Sequence, residues 1–164
     1  KNVKLNPNLK NRIIPLNYFV SNKAKPSTVH SSWNFNKAEK KHHIHLGSLK
    51  KINNKKIISL DNLFKKAKHK IDFIKLDVDG FEYEVLKSGE KIIKRNKPVI
   101  HIEFAPYLHK EYGYSSNKLI DLIKSKFDYD FYNEDLIKIK NIKKYILKIK
   151  NRSENFFLIK KKLI

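Results

Sequence analysis

Apolar positions along this chain fall into short blocks whose spacing switches between strand and helix period. NRIIPLNYFVSN (11–22) reads as a strand with Pro15 near its start and a turn after Val20. Residues 23–43 are polar and aperiodic, a loop with room for a short strand around Val29 to Trp33. IHLGSLKKI (44–52) and KKIISL (55–60) read as a strand pair or as a strand and its extension. Asp61 is then placed to cap a short helix over 62–70, with Leu63, Phe64 and Ala67 on one face. IDFIKLDV (71–78) is almost continuously apolar, as in a parallel strand covered on both faces. Val85, Leu86, Ile92 and Ile93 recur at helical spacing between Phe81 and Arg95, and KPVIHIEFA (97–105) follows as a second buried strand. SSNKLIDLIKSKF (115–127) predicts an amphipathic helix with a serine cap. YDFYN (129–133), LIKIK (136–140) and NFFLIKK (155–161) are strand-like, and 141–151 has no clear period.

Strand, helix, strand, helix and then closing strands predict an α/β fold with an open, mostly parallel sheet and an antiparallel edge. In such sheets ligands bind beyond the carboxyl ends of the strands. Both of the most apolar strands end in acid, at Asp77–Gly80 and at Glu103–Pro106. Acids at a helix start complement its dipole and cap free amides, which accounts for Glu82 and Glu84 and adequately for Asp79. The same account fails for Asp77, which is still within the strand. Gly80 permits a sharp turn and a close approach of a ligand. A carboxylate buried at Glu103 needs a partner, either a lysine or a ligand. His101 shares a strand face with Glu103 and is a possible base, although a strand histidine is more often a packed core residue.

Other chemistry is excluded or weak. The four glycines (47, 80, 89 and 113) form neither a GxGxxG nor a Walker loop, and no Gly-x-Ser-x-Gly elbow is present. His43 and His45 have ligand-like spacing but no third ligand nearby, so no metal site is expected. HSSWN (30–34) holds the only tryptophan, either a cover for a ligand or a hydrophobic plug.

Composition changes the picture at two points. At 164 residues, 40% hydrophobic and 12% aromatic, the chain is long enough for one domain with a sizeable core. The net charge of +21 invites nucleic acid as a partner. Lysine, however, makes up 34 of the 37 basic residues, and arginine, which makes bidentate phosphate and guanine contacts, stands only at 12, 95 and 152. With isoleucine and asparagine also abundant, composition alone accounts for the charge better than a nucleic-acid surface does. No cysteine is present, and no apolar run nears the roughly 20 residues that span a bilayer. A cytoplasmic protein without membrane contact is the expectation, with oligomeric state not legible.

The block IDFIKLDVDGFEYEVLKSGEKIIKRNKPVIHIEF resembles the signature region of the FkbM-type methyltransferases. The match rests on Lys75, Asp77, Asp79, Gly80, Glu82, Val85, Leu86, Gly89, Pro98 and Glu103, and SLDNLF (59–64) is similar to the step before that strand. Asp79 stands where the family more often has glutamate. The resemblance implies a class I, Rossmann-like fold and O-methyl transfer from S-adenosyl-L-methionine to a hydroxyl of a small molecule or glycan. It places Val20 and Ser21 near the adenine and Asp77 to Gly80 at the methyl-donor end. Asp77, Asp79, Glu82, Glu103 and His101 are then the candidates for the base, with no ranking among them. The chain lacks methionine and begins with Lys1, and the family's first strand and glycine-rich loop would precede it. Residues 1–164 are therefore expected to be one N-terminally incomplete methyltransferase domain, binding the cofactor weakly or not at all alone. A basic nucleic-acid module and an inactive fragment are the rival expectations.

Overall fold

A computed structural model of the chain describes residues 5–9, 11–22, 28–30, 49–51 and 56–161, with 28–30 and 49–51 as backbone only. The histidine cluster at 42–45 and Trp33 lie outside these residues. Four short strands come first: β1 (Phe19–Val20), β2 (Thr28–His30), β3 (Leu49–Lys51) and β4 (Ile57–Ile58). β1 pairs in parallel with β4, and β2 pairs antiparallel with β3. The expected pairing of 44–52 with 55–60 is therefore replaced by two separate ladders. The expected strand over 11–22 contracts to two residues: Ile13, Ile14 and Leu16 are exposed, and among the described residues only Phe19 and Val20 find a partner strand.

The main sheet consists of β5 (Phe73–Leu76), β6 (Val99–Phe104), β7 (Tyr129–Tyr132) and β8 (Glu154–Lys160), in the order β5-β6-β8-β7. β5 and β6 are parallel, and β8 is antiparallel to both of its neighbours, β6 and β7. Three strands thus point one way and β8 alone is reversed. The reversed strand lies inside the sheet and β7 forms the edge, a correction to the expected antiparallel edge. The fold is mixed α/β.

Strand alternation makes one face of the sheet the core. Ile100, Ile102, Phe104, Phe156 and Leu158 are fully buried against Leu119, Ile120 and Ile123, each aliphatic side chain contributing about 1.5–3 kcal/mol. Val99, His101 and Glu103 alternate onto the other, half-buried face. β5 departs from its expected cover on both faces: Phe73 is 54% exposed and Lys75 is also exposed. Among the described residues β6 is the only strand beside it.

Among the described residues six short α-helices carry the connections. α1 (Leu60–Leu63) is capped by Ser59, whose Oγ accepts from Asn62 N at 3.1 Å, and ends well before residue 70. Asp61 caps a different helix. Its carboxylate accepts from Lys91 N (3.2 Å) and Ile92 N (2.9 Å), at the start of α3 (Glu90–Asn96). The predicted helix over 81–95 is broken into α2 (Glu82–Ser88) and α3 at Gly89. A Cβ at Gly89 would meet Leu60 Cδ2 at 2.6 Å, so the glycine lets α1 press onto the break. α4 (Pro106–Glu111) follows β6, with Pro106 in its first turn. α5 (Ser116–Asp121) is capped by Ser115 as expected and continues as a π-helical turn, Leu122–Lys126. The segment 136–140 is not a strand: its only ladder contact is the Tyr132–Lys138 bridge, and Leu136 and Ile137 are exposed. The aperiodic stretch after it holds α6 (Ile142–Ile146). No described helix is long and apolar enough to cross a membrane.

Candidate active site at the ends of β5 and β6

The carboxyl end of β5 turns through Val78–Asp79–Gly80–Phe81, closed by Phe81 N donating to Val78 O at 3.2 Å. Both central residues have positive φ, Asp79 at 51° and Gly80 at 91°. Asp-Gly suits such a turn because aspartate tolerates this region and glycine occupies it freely. A Cβ at Gly80 would stand 2.6 Å from Leu108 Cβ and 3.1 Å from the Tyr112 ring. The space at Gly80 is thus filled by α4 and the residue after it, and the glycine serves packing as well as the turn.

Glu82 locks this turn from below. It is 1% exposed, and its Oε1 accepts from Gly80 N (3.1 Å) and Val78 N (3.3 Å). Its Oε2 lies 3.6 Å from Nε2 of His109, which is 0% exposed, and neither atom has a hydrogen-bond partner. His109 is oriented by Ser116 Oγ, 2.9 Å from Nδ1, and by stacking on Tyr114. Tyr114 donates to Gly80 O, and burial raises its hydroxyl pKa, with the Glu82 charge adding to the rise.

Asp77 and Glu103 stand one residue beyond the last register pair of β5 and β6, Leu76 with Ile102. Asp77 acts on the Glu103 carboxyl from this position. Burial lifts the Glu103 carboxyl above the ordinary carboxylate range; a hydrogen bond with Ser153 opposes this, and the charge and hydrogen bond of Asp77 reinforce it. Asp77, its side chain 46% exposed, also contacts Lys75. Tyr107 lies within the same field: burial raises its hydroxyl pKa, and the charges of Glu103 and Asp79 follow as causes.

Asp79 and Val20 line one cavity of about 250 Å³, together with Tyr18, Phe19, Phe81 and Tyr112. Its aromatic wall is already assembled, Phe19 edge-on to Phe81 at 5.1 Å and Phe81 to Tyr112 at 5.4 Å. Ser21 is buried and bonded into the β1–β4 pair through its N–H to Ile58 O. His101 lies back along β6 with its ring on Phe157 at 4.7 Å.

The candidate residues therefore divide three ways. Asp77 meets Glu103, Asp79 meets Val20 across a cavity, and Glu82 faces inward to hold the turn. The segment APYLHKEYGY (105–114), which supplies Tyr107, His109, Tyr112 and Tyr114, was not read from the sequence. Its one local signal is a proline directly after a strand, a helix start. Among the described residues no cluster of His, Asp and Glu has metal-binding geometry.

Residues 1–131 match the family model described as the methyltransferase FkbM domain. No curated protein and no solved structure matches the chain.

Proposed function

Because the chain belongs to the FkbM methyltransferase family, we propose that it takes part in S-adenosyl-L-methionine-dependent O-methylation of a hydroxyl on a small molecule or glycan. The observation that carries this reading is the Asp77–Glu103 pair, two carboxyl groups placed side by side at the ends of adjacent parallel strands. We assign the class I, Rossmann-like fold on the same basis; the order β5-β6-β8-β7 with one reversed strand is compatible with it.

The cavity lined by Val20 and Asp79 fits part of the methyl donor. Its aromatic wall suits a flat purine ring, and Asp79 offers a carboxylate to an amine or hydroxyl. About 250 Å³ is below the roughly 300–1,000 Å³ of a site for a whole drug-sized ligand. Tyr18, Phe19, Val20, Asp79, Phe81 and Tyr112 would hold that ring. When bound, the cofactor supplies an electrophilic methyl group on a sulfonium.

This chain's own residues supply the proton acceptor. Methylating a hydroxyl forms an oxygen–carbon bond and releases the hydroxyl proton, which a positioned base must take. Glu103, raised above the usual carboxylate range by burial and by the neighbouring Asp77 carboxyl, is better matched to that proton than an ordinary surface carboxylate. Asp77 positions it and shares the proton. Glu82 holds the Asp79–Gly80 turn, which fixes both the end of β5 and the cavity wall.

Transfer of labelled methyl groups from S-adenosyl-L-methionine to a panel of hydroxylated acceptors tests the reading, with Glu103→Gln and Asp77→Asn as variants. Loss of about 100-fold or more in kcat with Glu103→Gln is expected for a general base. Turnover equal to the parent in both variants would remove the pair from the role.

A further inference from the structure

A second and larger cleft lies on the far side of α4 from the aromatic cavity. It encloses about 820 Å³ between α4, the start of α5, and α6 with the residues that follow it. Four lysines line it, Lys110, Lys143, Lys144 and Lys150, and no aspartate or glutamate does. Lys143 is engaged by Asp121 at 2.8 Å. The other three have no carboxylate partner among the described residues, and all three are exposed. Between the lysines the walls carry serine and asparagine, including Ser116 and Asn151, over an apolar floor of Pro106, Tyr107 and Ile146.

In a chain this rich in lysine, clustering means little by itself. The contrast with other lysines is what matters. Lys138 sits 2.6 Å from Asp130, Lys161 sits 2.8 Å from Asp128, and Lys126 approaches Glu90. Acids are thus placed against lysines elsewhere on the surface and kept out of this concavity. Like charges gathered in a cleft raise each other's energy and focus a positive potential, which an anion relieves. Volume decides the size of that anion: 820 Å³ is the scale of a small-molecule site. Hydroxyl and amide groups beside an apolar floor suit a polyhydroxylated ring.

We propose that this cleft binds the acceptor, and that the acceptor is a phosphorylated polyhydroxylated small molecule of the sugar-phosphate class, its phosphate held by Lys110, Lys144 and Lys150. The acceptor role rests on the methyltransferase reading given above. Tyr107 joins the two regions: it lines the cleft and stands in the field of Glu103 and Asp79. α4 begins three residues after Glu103, so a ring lying over Tyr107 would be close to the acid pair while its phosphate is held by the lysines. Lysine suits a phosphate as a compact point charge, and it needs no bidentate geometry.

The test is calorimetric titration of the full chain with glucose 6-phosphate, glucose and glucuronate, without methyl donor. Glucose 6-phosphate is expected to bind and glucose not to, with affinity falling as salt is raised. The double variant Lys144→Ala/Lys150→Ala should weaken binding at least tenfold, while Lys65→Ala/Lys66→Ala, exposed lysines that do not line the cleft, should leave it within twofold. Equal losses in the two double variants would overturn the proposal in favour of diffuse charge. Glucuronate binding as tightly as the phosphate ester would overturn the phosphate assignment, and a DNA duplex displacing the ligand more tightly than it binds would make the cleft a nucleic-acid surface. Binding without methyl donor separates the two readings. Methyl transfer with no phosphate binding sinks only the acceptor assignment, and phosphate binding with no methyl transfer to any acceptor sinks only the enzyme.

Discussion

Glu82 offers the sharpest test of how the turn after β5 is held. Replacing it with alanine strips the acceptor from two N–H groups, Gly80 at 3.1 Å and Val78 at 3.3 Å. The Gly80 donor is buried, so leaving it unpaired costs about 2 kcal/mol, and the longer, partly buried Val78 bond about 1 kcal/mol. Loss of an acid from the first turn of α2 adds about 0.5 kcal/mol. His109, already without a partner at Nε2, keeps its deficit. The sum is about 3–4 kcal/mol, a large share of the roughly 5–15 kcal/mol that holds a domain folded. With a urea slope of about 2 kcal/mol/M, the midpoint of unfolding should fall by about 1.5–2 M. Glu82→Gln keeps an acceptor oxygen for both donors. Its amide can donate to His109 Nε2 when Nδ1–H is directed to Ser116 Oγ, so the loss should stay within about 1 kcal/mol. Urea unfolding of both variants decides the matter. If Glu82→Ala lies within 1 kcal/mol of the parent, or Glu82→Gln is as damaging as alanine, the turn is not held by this acceptor.

Three further outcomes follow from the same geometry. Gly80→Ala combines a positive φ with a Cβ 2.6 Å from Leu108 Cβ and should cost about 2–5 kcal/mol in a denaturant melt; a loss under 1 kcal/mol would show that α4 can move away. Asp61→Ala removes the acceptor for Lys91 N and Ile92 N, so their amides should exchange faster with solvent and stability should drop by about 1–2 kcal/mol. Glu103 has a raised carboxyl pKa in the folded chain, so the native state binds more protons than the unfolded one between the ordinary carboxyl value and the raised one. Stability therefore falls as pH rises through that window, and Glu103→Gln should flatten the slope; a parent and variant with parallel pH profiles would contradict the burial of that carboxyl.

What could be read from the sequence follows the range of the interactions involved. Strand alternation in VIHIEF placed His101 and Glu103 on one face correctly, because each residue's direction depends only on its neighbours. Asp-Gly marked a turn, and the Ser115 cap marked the start of α5, for the same local reason. Reading failed where a distant segment decides. Ile13 and Ile14 look like a strand, yet no partner strand among the described residues reaches them and they stay exposed. Asp61 has the right chemistry for a cap, but the amides it serves are 30 residues later. Gly89 breaks a helix because Leu60 needs the space, which no helical period in 81–95 reveals. In the site, Asp77 and Glu103 were legible as strand ends, whereas the Glu82–His109 and Tyr107 contacts depend on how α4 folds back over the turn.

The distribution of charge bears most directly on function. With 37 basic residues against 16 acidic ones, nearly any carboxylate in this chain has a lysine within reach. Several accept that neutralisation, as Asp128 does between Lys160 and Lys161. Glu103 does not: no lysine pairs with it among the described residues, and its neighbours are Ser153 and another carboxyl group, Asp77. Lys110, Lys144 and Lys150 of the cleft beside α4 likewise face a concavity with no carboxylate partner among the described residues. Keeping Glu103 and the cleft lysines Lys110, Lys144 and Lys150 apart, each short of a counter-charge among the described residues, costs folding energy that mixing them would recover. Stability gives no reason for that separation. An acid that must accept a proton, and cations that must stay open for an anion, do.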